Sequence, residues 1–324
     1  MLPRTALVLA LLVIGTASGT PQQPLRVKGI PGVVADGAVL EFVKGGFTFP
    51  EGLVATADGS IYFCERGTRG EDAKTIPTHI YHLDPKGQLK VVREDAAANG
   101  LAIDRSGNLL ATDLRNRRVT RMDKSGTVTV VTERSTAGPF VAPNDMAVDR
   151  GGGIYFTDPS TRPVVPGRKV YVYYLPPGAK EAIVVDDNGV RPNGLVLSND
   201  EKTLILGDTY REVLFAFDVQ PDGMLRNRRP FGVLHNIGPE RLLGQGTGAG
   251  GMAIDRDDRV YIVTIAGLQI YDRTGRHLGI IDLPAQGESL TFSGPDSRTL
   301  YIAVRGAIYR LPTLTRGPDR PGGK

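Results

Sequence analysis

One short segment recurs six times along this chain. Each copy has a polar or small residue, an apolar stretch, a Gly-bearing turn and a second apolar stretch. Four copies read Pro-Glu51-Gly-Leu-Val-Ala, Ala-Asn99-Gly-Leu-Ala-Ile-Asp, Pro-Asn144-Asp-Met-Ala-Val-Asp and Pro-Asn193-Gly-Leu-Val-Leu-Ser. Two are looser, Gly250-Gly-Met-Ala-Ile-Asp and Glu288-Ser289-Leu-Thr-Phe-Ser, and successive copies lie 48, 45, 49, 57 and 39 residues apart. A period of this length marks a repeated supersecondary unit. Every copy then delivers its leading residue to an equivalent place. One Glu and three Asn converging on one point supply oxygen ligands for a hard cation.

Within each copy the apolar stretches read as short strands. Gly59-Ser-Ile-Tyr-Phe-Cys, Gly107-Asn-Leu-Leu-Ala-Thr, Gly153-Ile-Tyr-Phe-Thr, Lys202-Thr-Leu-Ile-Leu-Gly, Arg259-Val-Tyr-Ile-Val-Thr and Arg298-Thr-Leu-Tyr-Ile-Ala each follow a polar turn. Those turns carry Asp, Asn, Ser and Gly, residues that tolerate hairpin conformations. A third strand follows, as in His79-Ile-Tyr-His-Leu-Asp or Val213-Leu-Phe-Ala-Phe-Asp, and then a fourth, as in Leu89-Lys-Val-Val or Val128-Thr-Val-Val. Alternation of period two dominates throughout. Three to four strands per unit of 40–50 residues predict propeller blades. The expected fold is therefore all-β, a six-bladed β-propeller. The sixth unit lacks a fourth strand of its own, and Ala38-Val-Leu-Glu-Phe-Val is placed to supply it and close the ring. The long stretches 66–78, 161–169 and 234–248 read as loops over one face, where binding residues concentrate.

The ends read differently from the middle. Met1-Leu-Pro-Arg4, an apolar run from Ala6 to Ile14 and the small residues 15–20 form a secretory signal pattern. Residues 1–19 are accordingly expected to be a signal peptide and 20–36 an extended lead-in. The propeller is assigned to 37–313 and a disordered tail to 314–324. The mature chain is expected to be secreted or periplasmic, with no integral membrane segment. Cys64 is the only cysteine. No intrachain disulfide can form, and Cys64 reads as a small buried strand residue. The net charge of +4 is spread along the chain, and aromatic residues are 6% with no Trp. No stacking platform is interleaved with basic residues, so a nucleic-acid partner is not expected.

With the repeat and its leading residues in hand, the chain resembles the gluconolactonase family that includes senescence marker protein 30 and regucalcin. The motifs that carry the resemblance are Phe49-Pro-Glu51-Gly, Asn116-Arg-Arg-Val-Thr-Arg, Pro-Asn144-Asp with the later Gly153-Ile-Tyr-Phe-Thr-Asp158-Pro, and Pro-Asn193-Gly-Leu with Asp208-Thr. They span roughly Phe47 to Leu311. The resemblance implies a divalent metal in the central channel, most naturally Ca²⁺, and a small-molecule substrate, a sugar lactone or related ester. It implies Glu51 and Asn193 as metal ligands and Asn144 beside the metal, holding metal or substrate. Asn99 is the matching residue of the second blade, a candidate substrate contact. The family's blade-five motif reads Pro-Asp-Gly-Met, its Asp serving as metal ligand and base. Here the stretch is Ala249-Gly250-Gly251-Met252, so Gly250 stands where that Asp is expected.

Lactone hydrolysis needs polarisation of a carbonyl and a base for water. With Gly250 in place of Asp, three routes stay open: Glu51 itself, Glu288 from the sixth copy, or acidification of water by the ion alone. Two further readings compete with hydrolysis. One is a non-catalytic secreted propeller that binds a ligand or partner protein. The other is a condensing enzyme of the strictosidine synthase kind, which would need Glu288. Asp104, Asp149 and Asp255 recur in the turns and Asp113, Asp158 and Asp208 after the second strands, and all six read as structural. The four histidines, His79, His82, His235 and His277, show no ligand spacing.

Overall fold

The computed structural model describes residues 24–66, 78–159, 166–239 and 246–320. Six antiparallel sheets, five of four strands and one of five, form the blades in sequence order. Blade one comprises Pro50–Ala55, Ile61–Glu65, Ile80–Leu83 and Leu89–Arg93. Blade two comprises Ala98–Ile103, Leu109–Asp113, Arg118–Met122 and Val128–Thr132. Blade three comprises Met146–Val148, Ile154–Asp158, Tyr171–Leu175 and Ile183–Asp186. Blade four comprises Pro192–Leu197, Thr203–Asp208, Val213–Val219 and Leu225–Val233. Blade five comprises Met252–Ile254, Val260–Thr264, Gly267–Tyr271 and His277–Ile281. Blade six takes Gly287–Ser293, Thr299–Val304 and Ala307–Pro312 from the end of the chain and Val39–Gly45 from its beginning. The expected closure is therefore observed, with Glu41 opposite Arg310 and Phe42 opposite Tyr309 in register.

The core is divided by the blade interfaces. Six clusters of buried apolar side chains occur, and each draws on two neighbouring blades. Blades one and two meet at Val54, Ile80, Leu101 and Ala111. Blades six and one meet at Leu53, Phe63, Tyr301 and Ile308. Each strand is thus buried on both faces near the axis, which is why the innermost strands are apolar without alternation. Burying one such Leu or Ile contributes about 1.5–3 kcal/mol.

The turns between first and second strands share one construction. The side chains of Asp58, Asp104, Asp149, Asp200, Asp255 and Asp296 each accept a backbone N–H two to four residues further on. The residue at the tip is left-handed whether it is Gly, as at Gly107 (φ 78°), or not, as at Asp258 (φ 59°) and Ser297 (φ 54°). The carboxylate supplies a local hydrogen bond that offsets the cost of that conformation.

Both ends depart from expectation. Leu25–Arg26 adds a fifth strand to blade six, and Val27, Ile30, Val33 and Val34 are buried in the cluster between blades five and six. The Pro and Gly residues of 24–36 shape turns, but these apolar side chains pull the segment into the core. Residues 314–320, expected to be disordered, cross the base. Leu314 N donates to Val33 O and Gly317 N to Ser297 O. Arg320 donates to the carbonyls of Leu197 and Ser198 in blade four. It also lines a cleft of about 930 Å³ with Tyr62, Lys124 and Phe292. Burial drives its guanidinium down to about 10. Backbone acceptors that composition cannot reveal hold the segment in place. The expected signal peptide and residues 321–324 lie outside the described residues, as do 67–77, 160–165 and 240–245 of the expected loops.

Candidate active site

The leading residues of the six copies form a ring because each blade's inner strand is fastened to the next. Cys64 Sγ donates to Asn99 O at 3.2 Å, joining blades one and two. Thr112 Oγ1 donates to Asn144 O at 2.6 Å and Thr157 Oγ1 to Asn193 O at 2.9 Å, joining the next two pairs. Thr209 Oγ1 reaches Ala249 O, and Gly251 N donates to Glu288 O. Leu53 N donates to Ser289 Oγ at 3.0 Å and returns to blade one. The glycine after the leading residue is needed for this approach. A Cβ on Gly52 would overlap the Asn99 carbonyl oxygen, and one on Gly194 would overlap that of Gly250. Residues far apart in sequence thus meet at one end of the channel, and Arg320 covers the opposite end.

At this mouth Glu51 is half-buried. Withdrawal from bulk water is the main cause that raises its pKa to about 8, and the charges of Glu288 and Asp145 push the same way. Arg66 and a hydrogen bond from Gly52 N at 3.3 Å oppose the rise. Carboxylates from blades three and six therefore bear on that of blade one. Glu288 is 6% exposed, and its Oε1 accepts from Arg305 Nε at 2.8 Å. Asp145 is 5% exposed, with Oδ1 accepting from Met146 N.

Of the expected site residues, Asn99 and Asn144 are buried and bonded to each other, Nδ2 to Oδ1 at 2.7 Å. Arg66 donates to the Oδ1 of Asn99 at 3.4 Å. Asn193 gives its Nδ2 to Thr209 Oγ1 at 3.0 Å, and its Oδ1 makes no hydrogen bond among the described residues. Gly250 lies in the same ring between Asn193 and Glu288, with Gly250 N donating to Val263 O at 3.0 Å. It offers no side chain to the channel.

The residues present fit a hard cation of the kind the family resemblance implies. Glu51, withdrawn from water and set near two further carboxylates, is relieved by a positive charge. Among the described residues no three His, Cys, Asp or Glu side chains stand close enough to hold a metal. An ion here therefore draws on amide oxygens as well as Glu51. Asn193 Oδ1 and the second lone pair of Asn144 Oδ1 are available for that.

The residues expected to be structural are engaged elsewhere. Asp158 accepts from Val141 N and Ala142 N, and Asp208 from Val190 N, Arg191 N and Tyr210 N. Asp113 holds Asn116 and Arg118. Glu65 does the same for Thr48 N and Phe49 N in blade one. His235 and His277 stack on each other at 4.0 Å, and His82 packs on Tyr62. Asp145, Arg66 and Arg305 were not among the expected site residues, and Phe49 was expected only as part of the motif that leads to Glu51. Asp145 stood visible as the single Asp where four other copies carry Gly. Arg66 and Arg305 both follow a blade's second strand, a position that comparison of the copies would have exposed.

A closed propeller with hard oxygen donors ringed at one mouth defines a class of channel-site propeller. Residues 49–305 match the family described as SMP-30/Gluconolactonase/LRE-like region, and the chain belongs to that family. It is 26% identical over 247 residues to a gluconolactonase of Zymomonas mobilis, covering 72% of this chain and 67% of that protein. The solved structure of a Xanthomonas campestris gluconolactonase superposes with a TM-score of 0.74 at 25% identity, covering 90% of this chain and 96% of that one. A calcium-binding protein, regucalcin, from Agrobacterium tumefaciens superposes with a TM-score of 0.71 at 17% identity, covering 93% and 99%. The last likeness bears on the fold alone.

Proposed function

We propose that this chain is a metal-dependent hydrolase of sugar lactones or related esters. The observation that carries the reading is the meeting of Glu51, Glu288 and Asp145 with the amides of Asn144 and Asn193 at one channel mouth, in a chain of this family. Glu51, Asn144 and Asn193 hold the ion, most naturally Ca²⁺, with Asn99 steadying Asn144 and facing substrate. When bound, the ion supplies polarisation of the lactone carbonyl and a more acidic water. Glu51 accepts the proton of the attacking water as its oxygen bonds to the carbonyl carbon. The ring C–O bond then breaks, and the proton returns to the departing ring oxygen, giving the open hydroxy acid. Glu288, fixed by Arg305, is the second carboxylate in reach and takes the place that Gly250 leaves vacant. The N-terminal signal pattern supports action outside the cytoplasm.

The test is hydrolysis of a lactone panel that includes gluconolactone. The chain is stripped with chelator and then given calcium. A rate that vanishes and returns supports the reading; no rate above buffer with any divalent metal refutes it. Gly250 favours the second reading, a secreted propeller that binds a ligand or partner protein without turnover.

A further inference from the structure

Two arginines stand at equivalent positions in adjacent blades. Arg66 follows the second strand of blade one and Arg305 that of blade six. The matching residues of the other blades are Leu114, Pro159, Thr209 and Ile265. Both guanidiniums lie over one ring, that of Phe49, at 4.1 Å and 5.4 Å from its centroid. Cation–π contact holds each head in place without consuming its N–H groups. Arg305 spends only Nε, on Glu288, and Arg66 spends one terminal nitrogen on Asn99. The remaining side-chain N–H groups of both have no hydrogen-bond partner among the described residues. Arg305 is 48% exposed at its side chain, so the pair opens toward the mouth.

We infer that Arg66 and Arg305 form a clamp for an anionic group, a carboxylate or phosphate, carried by the lactone away from its reacting carbonyl. A guanidinium presents paired donors that match the oxygens of either group. Arg66 is also near enough to Glu51 to oppose the rise in its pKa. The clamp therefore borders the proposed catalytic carboxylate, and an acid at its far end would place the ester over Glu51. Two cations fixed on one aromatic ring are an arrangement that a neutral sugar would leave unused. This inference rests on the lactonase reading and narrows its substrate class.

The experiment compares kcat/KM for gluconolactone with that for its 6-phosphate and for glucaro-1,4-lactone, which carries a free carboxylate. The wild type is expected to favour one or both charged lactones by about tenfold. The better of the two identifies the anion. Arg66→Gln and Arg305→Gln should each cut that preference several-fold, through KM, while Arg66→Lys retains part of it. Added salt should erode it in the wild type. A charged-to-neutral ratio near one, or a ratio unmoved by both Gln variants, overturns the clamp and leaves the lactonase reading standing. If no lactone is hydrolysed, the lactonase reading fails and thermal shift judges the clamp. Glucarate or 6-phosphogluconate must then stabilise the chain more than gluconate, and Arg66→Gln must abolish the difference. Equal shifts overturn it.

Discussion

The two ends of the inner strands obey different rules. At the base, six Asp residues make six versions of one turn, each holding a nearby backbone N–H. At the mouth, the equivalent residues of the same strands are Glu51, Asn99, Asn144, Asn193, Gly250 and the Glu288-Ser289 pair. The base repeats because its demand is local: a left-handed tip needs an acceptor whatever the blade. On the proposed function the mouth varies because its demand comes from an ion and a substrate, which six identical groups would not meet. Repetition in this molecule therefore marks structure, and its loss marks chemistry.

Glu51→Gln tests that division most severely. It should lower kcat/KM for the preferred lactone by about 10³, the scale of losing a base and a charged ligand together. It should also stabilise the metal-free protein. Glu51 has its folded pKa raised from 4.5 to about 8. A raised carboxyl contributes stability that is complete below the unfolded value, near pH 4.5, and is lost as pH climbs through about 8. The metal-free wild type should thus weaken between those limits more than Glu51→Gln does. Thermal melts in chelator at pH 5 and pH 8 measure this. A variant that is both inactive and less stable at pH 8 would mean Glu51 is structural.

Asp255→Ala probes the other end. Asp255 is fully buried and accepts from Asp257 N, Arg259 N, Arg259 Nη1 and the hydroxyl of Tyr261. Its removal leaves those donors unsatisfied and should cost about 3 kcal/mol. That corresponds to a fall in Tm of roughly 5–10 °C. Calcium affinity of the surviving folded fraction should not change, as followed by calorimetric titration below the transition. A loss of affinity without a loss of stability would dissolve the distinction between the two ends.

The same distinction explains what could be read from the sequence. Blade number, closure by Val39–Gly45 and the turn Asp residues were legible because each repeats or completes a repeat. Glu51, Asn99, Asn144 and Asn193 were legible as a converging set because they lead the copies. The clamp was not, because Arg66 and Arg305 lie 239 positions apart and meet only over Phe49. Asp145 escaped notice because its neighbour Asn144 already filled the expected place. The packing of Val27 to Val34 and of Thr315 to Arg320 was hidden by Pro- and Gly-rich composition. Their ordering depends on buried side chains and carbonyl acceptors supplied by distant blades.

Gly250→Asp is the gentlest intervention and the one that turns the comparison into a gain. A Cβ at this position would meet Glu288 O at 3.0 Å and Val263 Cγ2 at 3.2 Å. The backbone there is not left-handed, so the cost is a shift of a few tenths of an ångström. The new carboxylate joins Glu51, Glu288 and Asp145 at the mouth, which raises both the repulsion among them and the attraction for a cation. In chelator the variant should be slightly less stable than the wild type. With calcium the order should reverse, and affinity should tighten about tenfold, the scale of one added charged ligand. Calorimetric titration with calcium reads the affinity directly, with no need for turnover. Unchanged affinity in a folded Gly250→Asp protein would show that the ion, if bound, sits away from blade five. The base role assigned to Glu51 would then have to be argued without a neighbouring metal.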